Sequence, residues 1–131
     1  MKKRMKKRMR RVKMTETQLA VGMWVYIYLY VSTYTKAKEI GNSDYYNSIS
    51  DLKERYLRTH GYGHIWKNSC LLCNRYFYYS NCTSCPLSEG GKDCDTGSSW
   101  QKATLYRRYG YRRKALYAIK KIMNVMLREK D

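Results

Sequence analysis

The sequence predicts a mainly α fold: a small helical domain with an irregular, zinc-knuckle-like cysteine segment and a basic N-terminal arm. Three observations predict it. Thr15-Glu16-Thr17-Gln18 matches a capping box, in which two side chains satisfy free N–H groups at a helix start, and an apolar run follows directly. Residues 104–128 place apolar side chains at helical steps with basic residues between them. Residues 68–100 have no helical period and hold all five cysteines and the only proline.

In chain order, residues 1–14 read as the arm and 15–131 as one domain, as a chain of 131 residues allows. The arm repeats the unit Met-Lys-Lys-Arg, with Met1, Met5, Met9 and Val12 at helical spacing. Alone it should be disordered, because its charges repel; a partner should order it as a helix. A helix is expected over residues 15–38. Leu19, Met23, Ile27 and Val31 fit it, although residues 25–31 also alternate like a strand with tyrosines on one face. The cap and the length favour the helix. Gly41-Asn42-Ser43-Asp44 reads as a turn. A short helix follows over about residues 50–59, starting from Ser48 or Ser50 with Ser50 as its cap, and Gly61 and Gly63 end it. The cysteine knuckle spans 68–100. A final amphipathic helix over 103–129 puts Leu105, Tyr109, Leu116, Ile119, Met123 and Met126 on a face that packs against residues 19–34. Gly110 either divides it into two helices or costs about 1 kcal/mol relative to alanine.

Charge sits at the two ends. Residues 1–13 hold nine Lys or Arg and no acid, residues 14–101 are neutral with eight of each sign, and residues 102–131 hold ten basic and two acidic residues. A net charge of +17 arranged this way points to a polyanion gripped by the termini, although basic ends also serve solubility. Residues 17–35 are free of charge over roughly the length of a membrane span, but the run ends in Thr, Gln, Ser and Tyr. No small-x-small cleavage site follows it. A cytoplasmic protein is the expectation, with membrane anchoring the third reading.

Cys70-x2-Cys73-x8-Cys82-x2-Cys85-Pro86-x7-Cys94 is the sharpest signal in the chain. Two residues between cysteines let both thiolates reach one ion from a tight turn, and two such turns supply the four sulfurs that tetrahedral zinc prefers. Cys70, Cys73, Cys82 and Cys85 are therefore the expected Zn2+ ligands, with Cys94 and His64 in reserve. Asn74, Arg75, Tyr76, Phe77, Tyr78 and Tyr79 would form the loop between the pairs. An iron–sulfur cluster is the alternative, since cysteine followed by proline occurs in ferredoxin motifs, but a gap of eight is unlike their tight runs. A metal-free, disulfide-paired cluster needs an oxidising compartment.

Cys70, Cys73, Cys82, Cys85, Pro86, Leu87, Cys94 and Trp100, followed by an amphipathic helix, make a pattern that resembles short uncharacterised proteins of tailed phages and prophages. The likeness covers about residues 60–128 and implies a phage-encoded helical protein with a cysteine knuckle, acting in the host cytoplasm; it implies no particular activity. The basic arm lies outside it.

Residues 106–114 alternate arginine pairs with tyrosines around Gly110. Arginine forks match phosphate oxygens, and arginine and tyrosine both stack on unpaired bases. The expected nucleic-acid footprint is Lys2, Lys3, Arg4, Lys6, Lys7, Arg8, Arg10 and Arg11 in the arm, with Arg107, Arg108, Tyr109, Tyr111, Arg112, Arg113 and Lys114 near the C-terminus. A solvated helix face with tyrosines at the core edge is the competing reading. Contacts to backbone and shape are expected, because no base-reading module is present. Catalysis is not expected: there is no nucleophile elbow, no phosphate-cradling loop, and no deaminase pattern, since Asn81 rather than proline precedes Cys82. The leading expectation is thus a zinc-stabilised protein that binds RNA or DNA and takes no small-molecule substrate. The alternative is a phage inhibitor of a host ribonucleoprotein, such as a defence complex.

Overall fold

The computed structural model describes residues 14–42, 44–63 and 99–128. The basic arm over 1–13, His64, the five cysteines and the loop from Asn74 to Tyr79 lie outside the described residues. Four helices and one short hairpin form within them: α1 (Glu16–Thr33), β1 (Lys38–Glu39), β2 (Tyr45–Tyr46), α2 (Ile49–Thr59), α3 (Ser99–Tyr109) and α4 (Arg112–Arg128). The mainly α class expected from the sequence is the class observed.

The capping box starts α1 as expected: the Gln18 N–H donates to Thr15 Oγ1 at 3.1 Å, and the Thr15 N–H donates to Gln18 Oε1 at 3.0 Å. Leu19, Ala20, Met23, Trp24, Ile27 and Val31 are buried along one helical face, which resolves the helix–strand ambiguity of this run. The helix stops at Thr33, short of the expected residue 38, and Tyr34 turns extended. Two bonds draw the chain off the helix axis there. The Arg107 guanidinium donates to the Tyr34 carbonyl, and the Ala37 N–H donates to the Arg107 carbonyl at 3.3 Å.

β1 and β2 then pair antiparallel, with Lys38 opposite Tyr46 and Glu39 opposite Tyr45, where the sequence predicts only a turn. Gly41 and Asn42 take left-handed φ values of 105° and 38°, which suits glycine and asparagine. Ser48, not Ser50, caps α2, accepting from the Asp51 N–H at 3.3 Å. α1 and α2 approach closely at Gly22, where an added methyl group would overlap the Tyr56 hydroxyl.

The final amphipathic segment is two helices joined by Gly110 at φ +80°. The break resets the helical phase and corrects the expected core face. Leu105 and Tyr109 are exposed, while Ala103 and Arg107 face inward on α3. On α4 the buried set is Ala115, Ala118, Ile119, Ile122 and Met126, with Leu116 and Met123 packed at its edge. α3 packs most extensively on α4, and α4 on α1, so one apolar cluster centred on α1 joins all four helices. Complete burial of side chains such as Leu19, Ile27 and Ile119 contributes about 1.5–3 kcal/mol each. Among the described residues, no helix is long and apolar enough to cross a membrane.

Candidate nucleic-acid interface

α3 packs on α4, with Ala103 buried on the first and Ala115 and Ala118 buried on the second. Ala118 also lines the hollow between the two helices, with longer side chains around it. The result is an open groove of about 450 Å³. Lys102 and Tyr106, one helical turn apart, come from α3; Arg113, Lys114, Tyr117 and Lys121 come from α4. Ser99 and Ala118 complete the lining. Among the described residues no carboxylate lines the groove, and neither α3 nor α4 contains an acidic residue. Four cations therefore meet without internal neutralisation, and a positive potential over the groove follows.

The groove's tyrosines are already engaged by its cations. Lys114 Nζ lies 5.7 Å from the centre of the Tyr106 ring and 5.5 Å from that of Tyr111. Lys121 Nζ lies 5.8 Å from that of Tyr117. Such contacts at exposed positions stabilise by about 0.5–1 kcal/mol each, weak enough for an anion to displace. Tyr111 and Tyr117 remain 56% and 69% exposed.

The structure divides the expected C-terminal footprint. Arg113 and Lys114 line the groove; Tyr111 is outside the lining but touches it, its ring edge-on to Tyr106 at 6.1 Å and under Lys114. Arg112 donates to the Ser32 carbonyl at the end of α1, at 3.2 Å. Arg108 lies over the Tyr45 ring at 4.7 Å and, with Tyr109, lines a second hollow beside the hairpin. That hollow also contains Lys36, Lys38 and Glu39.

Arg107 does not belong to the surface at all. It is 1% exposed, with Nε donating to the Asn47 carbonyl at 3.2 Å, a second nitrogen donating to the Tyr34 carbonyl, and the Tyr30 ring 5.6 Å away. Its expected role as a phosphate ligand is therefore corrected to an internal tie between α1, the turn at Asn47 and α3. Burial pushes its guanidinium below the ordinary arginine range, partly offset by Tyr30. Asn47 serves this tie from a left-handed φ of 61°: its N–H donates to Asp51 Oδ2 at 2.9 Å and its side-chain oxygen accepts from Arg55.

A tyrosine ladder runs beside this tie. His60 stacks on Tyr56 at 4.0 Å, Tyr56 meets Tyr26 at 5.6 Å, and Tyr26, Tyr30 and Tyr34 follow along α1. Burial raises the Tyr56 phenol above its ordinary value. Tyr26 and Tyr30, two tyrosines of the strand-like alternation, thus form with Tyr56 a half-buried seam between α1 and α2, and Tyr34 extends it to the exposed end of α1.

The expected footprint omits Lys102, Tyr117 and Lys121, and leaves out Tyr106 although it opens the arginine–tyrosine run. Their helical spacing was readable: Lys102 and Tyr106 are four apart, as are Tyr117 and Lys121. The angle at Gly110 that sets the two pairs facing each other was not. The expected zinc ligands and arm residues lie outside the described residues, and among the described residues no group of three or more His, Cys, Asp or Glu converges. Comparison with protein-family models, curated proteins and solved structures finds no match to this chain.

Proposed function

We propose that this protein binds nucleic acid, RNA or DNA, through contacts to the phosphate backbone and stacking on tyrosine, and that it is a binding protein rather than an enzyme. The observation that supports this reading is the α3–α4 groove, where Lys102, Arg113, Lys114 and Lys121 surround tyrosine faces with no carboxylate among the described lining residues. The basic arm adds a second, sequence-independent grip, and the cysteine pairs hold zinc that stabilises the segment between α2 and α3.

The test is the salt dependence of binding to a labelled oligonucleotide, followed by fluorescence anisotropy. Replacing Lys102, Arg113, Lys114 and Lys121 together by Gln removes up to four phosphate contacts, each of which contributes about 0.7–0.9 to the log–log slope. The slope is expected to fall by about 2–3, with a remainder due to the arm. An unchanged slope in a variant that melts like the parent would remove the groove from the interface. Binding that appears only when a host nucleoprotein is supplied would favour the phage inhibitor instead.

A further inference from the structure

Resting on that reading, we infer that the groove selects single-stranded nucleic acid by an exchange of partners on its tyrosines. In the free protein Lys114 lies over the rings of Tyr106 and Tyr111, and Lys121 over that of Tyr117. Each ammonium is exposed on a flexible stem, and Tyr111 and Tyr117 are more than half exposed. An incoming phosphate offers the ammonium a stronger partner than the ring, because a full charge replaces a quadrupole. Once the ammonium leaves, the ring face is bare. A single strand carries an unpaired base next to that phosphate, and the base covers the bare face. A duplex supplies the phosphate but keeps its bases stacked inside, so the ring loses its cation and gains nothing. The same groove therefore favours the single strand at the tyrosines while its charge attracts both forms.

The geometry fits a short run of nucleotides. The rings of Tyr106, which lines the groove, and Tyr111, just before α4, lie 6.1 Å apart and edge-on, and Tyr117 lines the groove further along α4. Tyr111 directly precedes α4 and Tyr117 lies six residues on, about 9 Å if the α4 rise is extended by that one residue. That leaves room for one base at each with a phosphate between them, against Lys114.

Three probes of equal length test this on the full-length chain: a single strand, its duplex, and a single strand with abasic sites. The abasic strand keeps the phosphates and removes the stacking faces. The parent protein is expected to bind the single strand at least tenfold more tightly than either other probe at one salt concentration. Joint replacement of Tyr111 and Tyr117 by Ala, both exposed and so tolerant of truncation, should lower single-strand affinity about tenfold or more. It should not weaken duplex or abasic binding, which should tighten by up to a few fold because the lysines no longer have to leave those rings, and it should leave the salt slope unchanged. Replacing Lys114 and Lys121 by Gln should instead weaken all three probes and reduce every slope. Equal binding of the three probes by the parent would overturn the exchange while leaving nucleic-acid binding intact, as would an equal loss on all three in the tyrosine variant. Failure to bind any probe would sink the functional reading and the exchange together.

Discussion

At the scale of single residues, Arg107 has the largest structural consequence. A buried guanidinium is costly unless its donors are met, and here two donors reach backbone carbonyls that would otherwise lack partners at the end of α1 and in the turn before α2. Its Nη2 has no hydrogen-bond partner among the described residues, so the tie is incomplete but directional. Arg107→Ala strands both carbonyls and leaves a void; it should lower stability by about 3 kcal/mol, near 10 °C in Tm. Arg107→Lys should lose much of the same stability, because a point ammonium cannot span the fork. Thermal melting checks both. Neither variant should change the salt slope of nucleic-acid binding in its folded fraction, which separates this arginine from Arg113. An Arg107→Lys protein that melts with the parent would show that the fork is not needed.

At the scale of elements, the elbow between α3 and α4 decides which side chains share a surface. Gly110 stands at φ +80°, where its N–H reaches back to the Arg107 carbonyl at 3.4 Å and the Tyr111 N–H to the Tyr106 carbonyl at 2.9 Å. This closes α3 in the manner of a glycine C-cap. A side chain there meets left-handed strain and comes within 3.2 Å of the Lys36 stem. Gly110→Ala should therefore cost about 1–2 kcal/mol, and Gly110→Asn less, because asparagine tolerates the left-handed region. Denaturant titration of the three proteins gives the ranking. If alanine proved as stable as glycine, the elbow would not depend on this φ, and the groove's rims would be free to realign.

At the scale of the whole molecule, the proposed zinc acts on the connection between α2 and α3. Those helices touch each other in the core, yet α2 ends at Thr59 and α3 begins at Ser99. Segments of this length inside a compact domain usually carry a structure of their own, and paired Cys-x2-Cys motifs supply one when metal binds. Elemental analysis of the purified protein should find one zinc per chain. Cys70→Ser and Cys85→Ser should each lose metal, and a chelator should lower the Tm of the parent toward that of the variants. Metal-free protein, or iron with visible absorbance, would end the zinc assignment.

Much of this molecule was legible in the chain alone. Backbone chemistry is local, so the Thr15–Gln18 box located the start of α1 and Gly110 the break before α4. Charge is additive, so the basic ends needed no fold to be read. Even the tyrosine and lysine pairs of the groove lay at visible helical steps. Which helical face another element covers is not a local property. Arg107 and Arg108 are neighbours with the same chemistry, yet one is sealed in the interior and the other lies over Tyr45. Only the packing of α3 against α4 and α2 separates them. The groove likewise exists because α3 and α4 pack together and set two cationic faces side by side, a convergence that periodicity along either helix does not contain.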